Sequence, residues 1–76
     1  MSNDYKQEQF LDSLAERIAE LRHSKGMTQE RLAADAEIDR VALANIETGK
    51  RRPTVTTVYR LARAMSVKVD DVFKNL

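Results

Sequence analysis

The 76 residues include no cysteine, a single histidine and only two glycines. Without cysteine there is neither a disulfide framework nor a thiolate metal site. His23 stands alone, so a zinc cluster is excluded too. No glycine-rich phosphate loop and no nucleophile–base pair occur, which removes support for an enzyme and implies no cofactor. No apolar run approaches the roughly 18 residues that would cross a bilayer. No signal-peptide apolar region is present either. No membrane contact is expected, and the expected location is the cytoplasm.

What remains is one small domain. A chain of this size buries only about 60% of its unfolded surface, enough for one apolar core and not for a deep cleft. Its net charge of +1 conceals a segregation. Residues 1–39 carry five Lys/Arg against nine Asp/Glu, a balance of −4; residues 40–63 carry six against Glu47 alone, a balance of +5. The alternative to an anion-facing surface is a plainly solvated charged face. The position of the basic run beside a short segment, Arg40 to Glu47, that presents a polar face favours the anion.

Read in order, residues 1–8 are polar and form a flexible tail or a ragged helix start. Residues 9–76 form the domain. From Phe10 to Lys25, Leu11, Leu14, Ile18 and Leu21 recur at helical spacing with Ala15 beside them, while Asp12, Glu16, Arg17 and Glu20 face water. Gly26 stops this helix. Thr28 caps a second, and Met27 and Leu32 stand at hydrophobic-staple spacing across that cap. Asp39 caps a third helix, closed by Thr48 and Gly49. A basic loop, Lys50-Arg51-Arg52-Pro53, follows. Thr54 caps a fourth helix reaching about Met65, with apolar positions Val55, Val58, Leu61, Ala62 and Met65. The β-branched run Thr54–Val58 prefers a strand by propensity, but its three-to-four period and the lack of any partner strand favour helix. A last helix, Val69 to Asn75, puts Val69, Val72, Phe73 and Leu76 on one side, with Asp70 and Asp71 at its start. The expected fold is all-α, with five short helices.

The chain is organised around Thr28–Glu47. Gln29–Ala36 buries Leu32, Ala33 and Ala36; Arg40–Glu47 buries Leu43 and Ile46 on one face. Its other face presents Arg40, Val41, Ala44 and Asn45. A short helix with a polar front and an apolar back is what a reader of the DNA major groove requires.

The stretches R-I-A-E-L-R (17–22), G-M-T-Q (26–29), L-A (32–33), I-D-R (38–40), N-I-E-T-G-K-R-R-P (45–53) and L-A-R-A-M-S-V (61–67), in this order and spacing, resemble the lambda-repressor-like, xenobiotic-response-element-type family of helix-turn-helix transcriptional regulators. The I-D-R opening with I-E-T-G-K-R-R-P is similar to the controller proteins of restriction–modification systems; antitoxins and sporulation-type regulators share much of the pattern. The resemblance implies a bacterial or phage-encoded DNA-binding regulator, repressor or activator, working as a homodimer on double-stranded DNA. RNA polymerase would be occluded or contacted. The alternative is an antitoxin or another protein-interaction module on the same fold.

Carried onto these positions, the resemblance implies that Arg40, Val41, Ala44 and Asn45 face the bases. Their chemistry agrees, since Arg suits guanine, Asn suits adenine and Val suits a thymine methyl. Thr28 and Gln29 at a helix start, and Lys50, Arg51 and Arg52 in the loop, are implied to contact phosphates. Gln29 is also implied to brace the reading helix, and Arg22 and Glu47 to form an ion pair from helix one to helix three. Alternatives are a pair between Arg40 and Glu37, and a plain surface role for Asn45 and His23. Tyr59 is open between core, phosphate and dimer contact. The apolar positions Val55, Val69, Val72 and Leu76 of the last two helices exceed what a small core needs and, with Tyr59, are assigned to a dimer interface. Two departures from the family pattern stand out. Glu37 occupies the turn position where relatives place glycine, and Lys68 stands where a Ser or Thr cap is common.

Overall fold

The structure, a computed structural model, describes residues 3–76 in backbone and from residue 6 in side chains. Among the described residues there are five helices and no strand: α1 (Asn3–Ser24), α2 (Gln29–Ala36), α3 (Arg40–Glu47), α4 (Val55–Ala64) and α5 (Val69–Phe73). Helices α2 and α3 have the bounds expected from sequence. Helix α1 starts at Asn3 rather than near Phe10, so the part of the expected tail that is described is helical, and residues 1 and 2 lie outside the described residues. The β-branched start of α4 is helical, because Val58, Leu61, Ala62 and Met65 then fall together on the core at 3% exposure or less.

The core gathers one face from each helix. Leu14 and Ile18 of α1 meet Leu32, Ala33 and Ala36 of α2, Leu43 and Ile46 of α3, the α4 set, and Val72 of α5. Leu32, Leu43 and Leu61 are sealed from solvent at 0–1% exposure, sites where truncation to alanine costs about 2–5 kcal/mol. Two positions depart from the expected pattern. Val55, at the first position of α4, is 86% exposed. Arg17, placed toward water by its spacing, donates from Nη1 to the Asp71 carbonyl oxygen at 2.8 Å and ties α1 to α5.

Helix ends explain how so short a chain turns four times. Each N-cap side chain of α2, α3 and α4 accepts a backbone N–H: Thr28 from Arg31, Asp39 from Val41 and Ala42, and Thr54 from Thr57. At the other end, α1 to α4 all close in the Schellman pattern, in which two N–H groups beyond the helix return to carbonyls of its last turn. The pairs are Gly26 to His23 with Met27 to Arg22, Glu37 to Ala34 with Ile38 to Ala33, Gly49 to Ile46 with Lys50 to Asn45, and Ser66 to Arg63 with Val67 to Ala62. That pattern needs a left-handed residue. Gly26 and Gly49 supply it freely, but Glu37 and Ser66 are also held there, both at φ 59°. Ile38 and Val67, the next residues, pack against the core, and this burial forces the geometry on a non-glycine residue. At α5, Asp71 accepts from the Lys68 N–H at 3.1 Å. Lysine has no acceptor to return the bond, so this cap is half made.

Left-handed strain costs roughly 1–2 kcal/mol at a non-glycine residue, against up to about 1 kcal/mol of extra unfolded-state freedom that glycine brings. Glu37→Gly and Ser66→Gly should each therefore raise stability by about 0.5–1 kcal/mol. In a domain this small, thermal melts should show a rise of a few degrees (about 4 °C) for each. An unchanged or lower melting temperature would mean that relief of strain does not outweigh the added freedom of the unfolded chain.

Candidate nucleic-acid interface

Helix α3 is the candidate reading element, and its position is set by a cluster at its C-terminal end. Glu47 closes α3, and Arg22 lies in the last turn of α1. Arg22 Nε donates to Glu47 Oε2 at 2.7 Å and Nη2 to Oε1 at 3.0 Å, a two-point contact. The side chains are 10% and 4% exposed. Arg22 Nη1 also donates to the Met27 carbonyl oxygen at 2.9 Å, holding the α1–α2 turn. Gln29 Nε2 adds a donor to Glu47 Oε1 at 3.0 Å from the first position of α2. Helices α1, α2 and α3 thus meet at one carboxylate, and Arg22 ties the α1–α2 turn to it. The ion pair and the bracing role of Gln29 were both expected from the resemblance. The Met27 carbonyl was not, because a backbone acceptor has no signal in the sequence. His23 Nε2 lies 3.2 Å from Arg22 Nη2, so a residue given only a plain surface role by the sequence touches this cluster.

With its apolar back on the core, α3 turns its front outward. Arg40 is exposed, Val41 is 59% exposed, and Ala44 and Asn45 are half-buried. Among the described residues the ion pairs are Arg17–Glu20, Arg22–Glu47 and Arg31–Asp35, so Arg40 is not held by Glu37. Asn45 has a further role that the sequence did not reveal. Its carbonyl oxygen accepts from the N–H groups of Lys50 and Arg51 at 2.9 and 3.1 Å and from Thr48 Oγ1 at 3.3 Å. The start of the basic loop is therefore pinned to α3, and Lys50, Arg51 and Arg52 are all exposed beside it. Thr28 is exposed and Gln29 half-buried at the start of α2.

This geometry, a braced two-helix unit whose second helix offers a polar face next to a basic loop, can receive a polyanion and place side chains in its groove. A helix-turn-helix family model matches residues 18–72. The chain belongs to the helix-turn-helix family of transcriptional regulators. An uncharacterized HTH-type transcriptional regulator of Sinorhizobium fredii is 44% identical over 50 residues, 66% of this chain and 65% of that protein. One from Archaeoglobus fulgidus is 37% identical over 57 residues, 75% of this chain and 81% of that protein. Among solved structures, the restriction-modification controller protein C.AhdI from Aeromonas hydrophila superposes with a TM-score of 0.81 at 32% identity, covering 83% of this chain and 96% of that one. The wild-type controller protein C.Esp1396I gives 0.81 at 29% identity, over 86% of each chain. This regulator thus has the controller-protein fold, in a family of DNA-binding proteins that are not enzymes.

The positions assigned to a dimer interface separate. Val72 is fully buried in the core of its own chain; it cannot face a partner, because α5 packs on α1 and α4 through it. Val55 at 86%, Tyr59 at 50% and Val69 at 37% remain exposed, and Leu76 is half-buried against the core. Tyr59 does not enter the core. Its hydroxyl accepts from Arg63 Nη1 at 3.2 Å, and the hydrogen bond holds that guanidinium above its ordinary pKa. Among the described residues, no helix is long and apolar enough to cross a membrane.

A desolvated pair stripped of one partner leaves an unpaired buried charge. Glu47→Leu should cost about 3–5 kcal/mol, and Arg22→Met combined with Glu47→Leu should recover much of that loss. Urea denaturation of the single and double variants checks both. A single variant within about 1 kcal/mol of the unsubstituted protein would place the pair with weak, exposed ones.

Proposed function

We propose that this regulator binds double-stranded DNA sequence-specifically as a homodimer on a pseudo-palindromic operator, in the manner of a restriction–modification controller acting on its own operon. The observation that carries the reading is the braced α3 itself, with Arg40 and Val41 exposed on its front and the basic loop fastened to its end through the Asn45 carbonyl. Arg40, Val41, Ala44 and Asn45 take the base-reading role. Thr28, Gln29, Lys50, Arg51 and Arg52 take the phosphate role.

One α3 covers only a few base pairs, so useful selectivity calls for two copies. Two-fold symmetry then sets half-sites roughly 34 Å apart or a multiple of it. The exposed apolar side chains Val55, Tyr59 and Val69 on α4 and α5 support a partner on that side. Placement of the operator relative to the promoter decides whether RNA polymerase is occluded or recruited. The exposed α4–α5 surface also fits a module that serves a protein partner more than DNA, as in an antitoxin; the two readings part on salt dependence, since phosphate contacts make affinity fall steeply with salt.

Selection of bound sequences from a random duplex library tests the proposal, and the expected product is a two-fold-symmetric site. On that site Arg40→Ala should relax base preference at one position per half-site, by about 1–3 kcal/mol of discrimination. Arg51→Ala should weaken all duplexes alike and flatten the log–log salt slope by about one unit for each phosphate it neutralises. No affinity for any duplex at low salt would overturn the DNA reading, and equal effects of the two variants on specific and random DNA would overturn the division of roles.

A further inference from the structure

A shallow cavity of about 120 Å³ lies between the N-terminal half of α1 and the α3–α4 loop, with Glu8 and Asp12 on one side and Gly49, Arg51, Arg52 and Pro53 on the other. Glu8 and Asp12 are one helical turn apart and share a face of α1. Both are exposed. Asp12 reaches the loop itself: its Oδ1 lies 3.2 Å from where a Cβ on Gly49 would stand. Neither acid is among the ion pairs of the described residues. Two carboxylates are therefore stationed beside the arginines of the phosphate loop without being joined to them. Their position is fixed. Leu14 and Ile18 anchor α1 in the core, and the Phe10 ring stacks on Phe73 of α5 with centroids 6.3 Å apart. The family match begins at residue 18, so both acids sit on the part of α1 that precedes it.

We propose that Glu8 and Asp12 act as a built-in counter-charge on the basic loop, lowering the domain's affinity for the phosphate backbone of every duplex while leaving its base preference unchanged. The inference rests on the DNA-binding reading above. The two acids and the two arginines line one small cavity, and exposed charges act on one another over a Debye length of about 10 Å at 0.1 M salt. An incoming phosphate therefore meets the two acids together with the arginines. At the high dielectric of an exposed site, each carboxylate weakens binding roughly two- to threefold. Backbone contacts carry no sequence information, so the effect is the same on operator and random DNA.

The test compares the unsubstituted protein, Glu8→Gln/Asp12→Asn, and Asp70→Asn as a charge control on α5, each confirmed as folded by its thermal melt. Affinities are measured on the selected operator and on a random duplex at about 50 and 300 mM salt, where screening is weak and strong respectively. The double variant should bind both duplexes about fivefold more tightly at the lower salt, the gain shrinking below about twofold at the higher. Asp70→Asn should give a markedly smaller gain. A double variant that binds no tighter, that gains only as much as Asp70→Asn, or that gains on the operator alone overturns the counter-charge. Should the unsubstituted protein bind no duplex at either salt, the DNA-binding reading fails and the counter-charge falls with it.

Discussion

Glu47 stands at the one point where α1, the α1–α2 turn, α2 and α3 meet, and its carboxylate is almost fully withdrawn from water. A helix of eight residues is too short to persist alone, since isolated helices below about 12–15 residues are marginal in water. Helix α3 exists because Leu43 and Ile46 are held in the core, but burial of two side chains fixes which face is inward and leaves sliding and tilt open. The two-point contact with Arg22 and the amide of Gln29 remove that freedom, because a planar guanidinium and a carboxylate align in few orientations. An apolar replacement of both partners would recover much of the pair's stability. What it would lose is direction, which fixes how the front of α3 is presented.

The same constraint explains the helix ends. With five helices in so few residues, the chain must reverse abruptly, and a Schellman close followed by a buried Ile38 or Val67 does this in two residues. Glycine would be easier at Glu37 and Ser66, and the fold tolerates its absence because Ile38 and Val67 gain more by burial than the turn loses in strain. The turn between α2 and α3 is thus held from both sides: by core packing through Ile38, and by Asp39 capping α3 on the very next residue.

Much of this was legible in the residues. The bounds of α2 and α3, their buried faces, the three caps Thr28, Asp39 and Thr54, and the stops at Gly26 and Gly49 each rest on interactions within four or five residues, where sequence spacing and physical neighbourhood coincide. The Arg22–Glu47 pair joins distant segments and is reached through the family pattern, since spacing alone cannot bring it out. What escaped depended on the backbone or on which of two faces a helix turns inward. The Met27, Asn45 and Asp71 carbonyls are acceptors that any residue could provide. Val72 and Val55 look alike in sequence, as surplus apolar positions, yet they stand at opposite extremes of exposure. Helix α5 is only a little over one turn long, so a single residue faces the core, and Val55 stands at the first position of α4, before that helix reaches it.

The charge pattern takes on a different meaning in the folded chain. By sequence the acidic first half and the basic second half look like separate territories. In the structure they are interleaved: Arg22 from the acidic half neutralises Glu47 from the basic half, while Glu8 and Asp12 are brought alongside Arg51 and Arg52. Withdrawing Glu47 into an ion pair clears the only acid from residues 40–63, so the surface that α3 and its loop offer is more positive than its composition states. The acids on α1 then act from the flank. On the proposed function, base preference would depend on where the front of α3 points and attraction to any duplex on the potential around the loop, so the two would be set by different carboxylates on different elements. A regulator built this way can have its general affinity adjusted at Glu8 and Asp12 without disturbing the cluster that aims the reading helix.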